Sequence, residues 1–154
     1  LARRCLRDAL SQVRSSYPFR IVALVLIPDH LHTVWTLPTG DHRYPLRWRR
    51  VKEEFTKQWL SAGGNELAQS SSRRAHRMRG IWQKRYWEHS VKDENDLDRC
   101  IDYTHWNPCK HALVDRVRDW PWSSFHRYVA QGHYSVNWGS MDPTPGWHAP
   151  EWGE

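Results

Sequence analysis

The chain has 154 residues, enough for one domain with a hydrophobic core. Lys and Arg number 23 against 17 Asp and Glu, a formal charge of +6 that favours an anionic partner, nucleic acid before membrane. Three cysteines without a CxxC pair argue against a disulfide framework, and the longest apolar run, residues 21–27, is too short to cross a bilayer, so we expect a protein of the reducing cytosol.

The first third of the chain alternates between helical and strand-like patterns. Apolar residues at helical spacing among arginines predict an amphipathic helix over residues 2–16. The β-branched run 21–27 predicts a buried strand, and residues 31–37 predict a second strand beyond a short turn at Pro28. Two strands joined this tightly are expected to be antiparallel neighbours.

The central third contains one long helix and a basic segment. Large apolar residues spaced by three and four predict a helix over residues 45–62, ended by Gly63 and the glycine after it. Residues 70–79 are polar and rich in arginine without periodicity, which predicts a mobile basic loop. The aromatic-rich stretch 81–91 predicts a further strand.

The last third begins with a well-marked helix. Asp93 is a good N-cap, acidic residues follow in the first turn, and Pro108 is expected to stop the helix. A serine at 123 or 124 predicts the start of a short helix that runs through Ala130.

These elements together predict a small α+β domain, an antiparallel sheet with helices packed on one side. The domain is expected to span residues 1–134, and residues 135–154 are expected to form an irregular tail. Eleven tryptophans exceed what one small core needs, which suggests that some stack on unpaired bases, although core packing remains the alternative for each.

His30 and His32 form the first candidate site. Residues two apart in a strand point to the same side, so both imidazoles would face one surface. Imidazole nitrogen is a common metal donor, and the pair would supply half of a metal site. The alternative is a pair of solvated strand histidines, because ten histidines make this short pattern common by chance.

Tyr103 and Asn107 form the second candidate site. They are four residues apart and therefore lie on one side of the predicted helix, at the shoulder of its buried face. A side chain at the shoulder can reach a groove beside the sheet. The alternative is a boundary tyrosine followed by an asparagine that ends the helix.

The two candidates fit one chemistry. Two imidazoles and a carboxamide are neutral, so a divalent ion held by them would keep its charge for a phosphate and leave open positions for substrate oxygens. A tyrosine nearby could attack phosphorus and hold a DNA strand as an ester that a DNA hydroxyl later reverses. The attacking oxygen needs help from the ion or from a nearby cation, for which Lys110, His105 and Arg85 are unranked candidates.

Several segments resemble one known family in sequence and in order. Pro28-Asp-His-Leu-His32 resembles the histidine–hydrophobic–histidine strand of HUH-type single-tyrosine transposases. Three further segments resemble the branch called REP-associated tyrosine transposases: Ile81-Trp-Gln-Lys-Arg-Tyr-Trp-Glu-His89, Asp102-Tyr-Thr-His-Trp-Asn-Pro-Cys-Lys-His111 and Asp119-Trp-Pro-Trp-Ser-Ser-Phe125. The resemblance covers roughly residues 20–138.

The resemblance implies a ferredoxin-like (RRM-like) fold, a Mg²⁺ or Mn²⁺ ion, and hairpin-containing single-stranded DNA from repeated palindromes in a bacterial cytoplasm. It implies that His30, His32 and Asn107 hold the metal and that Tyr103 is the nucleophile, which leaves a 5′-phosphotyrosine link and a free 3′-hydroxyl. Tyr103 would act in its own chain or in a partner subunit, so a monomer and a homodimer both stay open. No membrane partner is expected.

The chain departs from the family pattern at two places. The family has a strand ahead of the first helix, and this chain, which begins at Leu1, shows none, so two alternatives stay open: an upstream segment supplies the strand, or the sheet lacks its first strand and with it a member near its middle. Cys109 stands where valine is common in the family, a harmless change.

Basic residues supply the expected DNA contacts. We expect phosphate contacts from the helix over 45–62, from the basic loop and from two further cations. These residues are Arg47, Arg49, Arg50, Lys52, Arg73, Arg74, Arg77, Arg79, Arg85 and Lys110.

Three other interpretations compete with strand transfer. A domesticated module would bind hairpin DNA without cleaving it, and a metal phosphodiesterase would use water and form no protein–DNA adduct. A structural zinc site would use Cys100, His105, Cys109 and His111, a spacing that matches no common zinc pattern.

Overall fold

The computed structural model describes residues 1–68, 71, 79–83 and 86–139. The chain forms two compact units, each built from two stretches of sequence. The first unit contains Leu1–Phe19 and Leu37–Glu88, and the second contains Arg20–Thr36 and His89–Glu154.

The described part of the first unit contains the helices α1 (Ala2–Ser16) and α2 (Tyr44–Ser61). Both agree with the helical patterns of the sequence to within one residue. Apolar residues of the two helices are buried where they pack together: Cys5, Leu6, Ala9, Leu10 and Val13 of α1, Val51 and Phe55 of α2. The polar faces of both helices stay in solvent, as amphipathic patterns require.

Arg47 is part of this core. Its side chain is 2% exposed, and its guanidinium donates to Asp41 at 2.9 and 3.2 Å and to the carbonyls of Pro18 and Arg43 at 3.0 to 3.3 Å. Hydrogen bonds from the Arg47 and Arg43 guanidinium groups hold the pKa of Asp41 well below its usual range. Arg47 therefore ties α2 to the segment before it.

Two glycines shape the end of α2. Gly63 has a φ of +80°, a left-handed conformation that residues with a Cβ rarely adopt. At Gly64 a Cβ would meet the ring of Trp59 at 2.1 Å, so the chain passes too close to that ring for any side chain. The predicted glycine stop is confirmed.

The prediction of a strand over residues 81–91 is wrong for the part of that stretch that the structure describes. Side-chain contacts hold this stretch in place, and main-chain hydrogen bonds to a neighbouring strand do not. The ring of Trp82 packs against Phe55 with centroids 4.9 Å apart, and its indole N–H donates to Thr56 at 3.2 Å. Tyr44 donates to Glu88 at 2.7 Å. Aromatic packing accounts for the composition that suggested a strand.

The second unit contains the sheet. Strands β1 (Arg20–Leu26) and β2 (Leu31–Thr36) pair antiparallel, with a register shift between Ile21 and Ala23. The helix α3 (Glu94–Lys110) packs against both strands, and Ile101 joins the buried Val22 and Ala23 of β1. The antiparallel hairpin that the sequence predicted is confirmed.

A short segment after α3 closes the unit. A 3₁₀ turn at Val117–Asp119 leads to a stretch that bonds to the backbone of β1: Leu26 donates to Trp122 and Ser124 donates to Leu24. The helix α4 (Phe125–Ala130) follows with Ser124 as its N-cap. The helix prediction is confirmed, although no side-chain cap bond from Ser124 forms.

His105 of α3 joins these elements. It is fully buried, and its Nε2 lies 2.7 Å from the Ser124 hydroxyl, which itself accepts the N–H of Leu24 at 2.9 Å. Burial lowers the pKa of His105 to about 3, so the ring is neutral in the folded protein. This position makes His105 a packing residue.

The two ends of α3 follow different rules. Asp93 caps the start by accepting the Asp96 N–H, as predicted. Pro108 does not stop the helix, which continues to Lys110. Proline removes one N–H and so one helical bond, and a position two residues from the end limits the disruption to the last turn. The extra turn brings His111 to the C-cap.

The described part of the predicted tail, residues 135–139, contains turns. Trp138 stacks on Tyr134 with ring centroids 4.5 Å apart, and residues 140–154 lie outside the described part of the chain. Within the described ranges, no helix has both the length and the apolar character needed to cross a membrane.

Candidate active site

His30 and His32 lie side by side at the start of β2. His30 directly precedes the strand and His32 is its second residue, and their ring centroids are 5.1 Å apart. Asp29 lies 2.6 Å from His30 Nδ1, and this hydrogen bond lowers the pKa of the Asp29 carboxyl. A carboxylate on Nδ1 orients an imidazole so that Nε2 is left for a ligand.

One side of α3 faces these histidines. The Tyr103 ring lies 5.5 Å from the His32 ring, and the His111 ring lies 5.0 Å from the His30 ring. Tyr103, Asn107 and His111 are spaced by four residues, so successive turns of the helix present them to the same side. The close packing of α3 on the hairpin produces this juxtaposition.

Three imidazoles converge at this point. One nitrogen each from His30, His32 and His111 lies within 4.8 Å of the others, a separation from which a single metal ion could be held. All three histidines are partly exposed. Exposure leaves a path for a substrate oxygen.

Asn107 is fully buried on the same helix, and neither its carboxamide oxygen nor its nitrogen has a hydrogen-bond partner among the described residues. An unpartnered buried amide is costly and uncommon in folded proteins. Such a group fits a role as ligand to an ion better than a role as a helix-ending residue.

Tyr103 is 7% exposed, and its hydroxyl accepts a hydrogen bond from the Lys110 ammonium at 2.8 Å. The same ammonium lies 4.9 Å from the centre of the Tyr103 ring. Of the three cations considered from the sequence, Lys110 therefore contacts the hydroxyl, His105 contacts Ser124, and Arg85 is outside the described residues.

The chain is similar in sequence to two named proteins. It is 40% identical over 133 residues to the REP-associated tyrosine transposase of Escherichia coli (strain K12), covering 86% of this chain and 70% of that protein. It is 42% identical over 134 residues to the putative REP-associated tyrosine transposase of Haemophilus influenzae (strain ATCC 51907 / DSM 11121 / KW20 / Rd), covering 86% and 74%. The chain belongs to the REP-associated tyrosine transposase family.

A solved structure agrees with this assignment. A REP-associated tyrosine transposase bound to a REP hairpin superposes with a TM-score of 0.72 and 36% identity over 99% of this chain and 81% of that one. No family model matches the chain. Membership makes the chain a DNA transposase with the α+β fold of the HUH type, which confirms the fold class predicted from the sequence.

The basic residues expected to contact DNA lie in different environments in this transposase. Arg49 and Arg50 are exposed on α2 and pair with Glu53 at 3.8 and 3.0 Å. The Lys52 ammonium lies 5.4 Å from the Tyr86 ring centre, and burial lowers its pKa. Arg79 pairs with Glu66 at 3.4 Å.

Arg47 requires a correction. Its guanidinium is buried and bonded within the protein, so it does not present its charge to a phosphate. The helical spacing of α2 turns Arg47 inward while Arg49 and Arg50 point outward. The predicted contacts of Arg73, Arg74, Arg77 and Arg85 fall outside the described residues.

The four residues of the alternative zinc site do not form one group. His111 lies with the strand histidines and His105 with Ser124, whereas Cys100 lies near His89 and Asp96. Cys109 contacts the Gly139 carbonyl, and burial raises the pKa of both thiols to about 11.

The Asp96 carboxylate near Cys100 already has hydrogen-bond partners in the protein. It accepts hydrogen bonds from His89 at 2.8 Å and from the Lys92 N–H at 2.9 Å, which secures the approach to α3. The cluster of His89, Asp96 and Cys100 is therefore explained by its role in the fold.

Sequence reasoning missed His111 as a member of the site. The signal that could have revealed it is the repeat of four residues from Tyr103 through Asn107 to His111. The expected stop at Pro108 removed His111 from the helix and hid that repeat.

Proposed function

We propose that this transposase is a metal-dependent single-stranded DNA endonuclease and strand transferase that uses Tyr103 as nucleophile. The observation that carries the proposal is the meeting of the Tyr103 ring with His32 beside three imidazoles whose ligand nitrogens lie within 4.8 Å of one another. A tyrosine placed beside a group of neutral metal donors suits phosphoryl transfer to the phenolic oxygen.

His30, His32 and Asn107 would hold the divalent ion, with His111 as an additional donor. The unpartnered carboxamide of Asn107 and the convergence of the imidazoles support this fit. The ion would supply positive charge to polarise the scissile phosphate. The family resemblance points to Mg²⁺ or Mn²⁺, and a donor set rich in imidazole favours Mn²⁺ of the two.

The proposed reaction has two steps. In the first, the Tyr103 oxygen forms a bond to phosphorus while the bond from phosphorus to the 3′ oxygen breaks, which leaves a 5′-phosphotyrosine and a free 3′-hydroxyl. In the second, a 3′-hydroxyl attacks the phosphotyrosine and releases Tyr103. The ester retains the energy of the original bond, so strands can be joined without another energy source.

The proposed substrate is single-stranded DNA that carries a hairpin from a repeated palindrome. The basis is the 36% identical transposase whose structure contains a REP hairpin. Exposed cations such as Arg49, Arg50 and Arg79 are proposed to contact phosphates. Both named relatives come from bacteria, so we propose the bacterial cytoplasm as the place of action.

The test is to incubate the protein with labelled hairpin DNA and Mn²⁺ or Mg²⁺, then separate denatured products. We expect a covalent protein–DNA adduct that disappears with chelator. Tyr103→Phe should abolish the adduct and cleavage while hairpin binding survives, because only the nucleophilic oxygen is lost. Tyr17→Phe, on α1's C-cap, is the matched control and should retain both activities.

Three results would refute the proposal. Full cleavage by Tyr103→Phe would remove Tyr103 as nucleophile. Cleavage by the wild type without an adduct would indicate water as nucleophile. Hairpin binding without cleavage in both the wild type and Tyr103→Phe would indicate a domesticated binding module.

A further inference from the structure

Lys110 contacts the hydroxyl of the proposed nucleophile, Tyr103. Its ammonium donates to the Tyr103 hydroxyl at 2.8 Å and lies 4.9 Å from the centre of the same ring. The two residues are seven apart, two turns along α3, so the rigid helix holds the pair together.

The helix itself favours a cation at this position. Lys110 is the last residue of α3, where unpaired carbonyls give the helix end a partial negative charge. This charge helps to keep the ammonium near the end of the helix, while its hydrogen bond directs it toward the Tyr103 oxygen.

We propose that Lys110 is the charge partner of Tyr103 in both steps of strand transfer. Resting on the proposed function, this assigns Lys110 to the nucleophile and not to the DNA backbone, the two roles that the sequence left open for it. The ammonium stabilises negative charge on the phenolic oxygen as it attacks, and again when the same oxygen leaves.

The two steps balance without consuming Lys110. During attack, the phenolic proton passes to solvent, the Tyr103–phosphorus bond forms, the bond to the 3′ oxygen breaks, and that oxygen takes a proton from solvent. During transfer, the incoming 3′-hydroxyl loses its proton, its oxygen bonds to phosphorus, and the Tyr103 oxygen leaves with the electron pair and is reprotonated. Lys110 stays an ammonium throughout.

A phosphate contact and a charge partner predict different kinetics. A phosphate contact contributes to substrate binding, so its removal weakens DNA affinity and leaves the rate at saturating DNA unchanged. A charge partner of the reacting oxygen contributes in the transition state, so its removal lowers the rate at saturation.

The experiment compares Lys110→Met, Lys110→Arg and the matched exposed control Lys57→Met. Hairpin affinity is measured by titration, adduct formation in single turnovers at saturating DNA and Mn²⁺, and rejoining from isolated adduct with an added 3′-hydroxyl strand. We expect Lys110→Met to slow both steps roughly 10- to 100-fold, as loss of a charged hydrogen bond implies, with affinity changed less than about twofold. Lys110→Arg should restore part of the rates of adduct formation and rejoining. Lys57→Met should match the wild type.

Two outcomes would overturn the proposal: an unchanged saturated rate in Lys110→Met, whatever its affinity for DNA, or a Lys110→Arg variant as slow as Lys110→Met. Thermal unfolding checks that each variant is folded, and Lys110→Gln replaces Lys110→Met if that variant is unfolded. A wild type that forms no adduct would instead refute the proposed function. An adduct that is absent in Tyr103→Phe but formed at full rate in Lys110→Met would refute the role of Lys110 alone.

Discussion

Arg47 in α2 and Asn107 in α3 are both polar side chains buried in helices, yet their surroundings are opposite. Arg47 is 2% exposed and bonds to one carboxylate and two carbonyls of the protein. Asn107 is 0% exposed, and neither polar atom has a hydrogen-bond partner among the described residues. A satisfied buried group stabilises the fold, whereas an unsatisfied one costs stability and is a candidate for binding something else.

The largest effect on stability is expected from Arg47→Met. The change removes the hydrogen bonds to Asp41 and the guanidinium donors of the Pro18 carbonyl, whereas the Arg43 carbonyl keeps the backbone N–H of residue 47. We expect a loss of about 3 kcal/mol in the free energy of unfolding, measured by urea denaturation.

Arg49→Met is the matched control because Arg49 is exposed on the same helix. It should change the free energy of unfolding by less than about 0.5 kcal/mol. Equal effects of the two substitutions would show that the buried network of Arg47 does not stabilise the first unit.

Asn107→Leu should have the opposite effect on stability. Replacing an unsatisfied buried amide with an apolar side chain of similar size is expected to leave the metal-free protein as stable or more stable by about 1 kcal/mol. Affinity for Mn²⁺, measured by calorimetry, should fall at least about tenfold because the proposed metal ligand is removed.

Asn95→Leu, an exposed asparagine in the first turn of the same helix, is the control and should leave Mn²⁺ affinity unchanged. Strong destabilisation of Asn107→Leu with unchanged metal affinity would make Asn107 a structural residue like Arg47.

The smallest effect concerns the outward-facing arginines of α2. The double change Arg49→Gln and Arg50→Gln should reduce the salt dependence of hairpin binding, by roughly 0.7 in the log–log slope for each phosphate that is no longer neutralised. Arg7→Gln on α1 is the exposed control and should leave the slope as it is. An unchanged slope in the double variant would move the DNA surface away from α2.

Much of the fold follows from local patterns in the sequence. The spacing of apolar residues located α1, α2 and the β1–β2 hairpin, and Asp93 marked the start of α3. These features depend on near neighbours in the chain, which is the information a single sequence contains.

The errors arose where distant packing outweighs local preference. Aromatic residues over 81–91 suggested a strand, but Trp82 packs on α2 and the backbone forms no ladder in the described part. Pro108 suggested a stop, but α3 continues to Lys110. Charge alone placed Arg47 at the surface, and only the fold shows its buried partners.

Part of the candidate site could be predicted because it depends on local spacing in the sequence. The two-residue spacing of His30 and His32 and the four-residue spacing of Tyr103 and Asn107 are local patterns. The four-residue repeat also places His111 on the side of Tyr103 and Asn107, but its packing against His30 joins positions far apart in the chain and follows only from the fold.

The most direct measurement is to digest the covalent adduct with protease and nuclease and to identify the modified peptide by tandem mass spectrometry. We expect a nucleotide attached through its 5′ phosphate to Tyr103. Attachment to another residue, or DNA cleavage with no modified peptide, would contradict the assignment of Tyr103 as nucleophile.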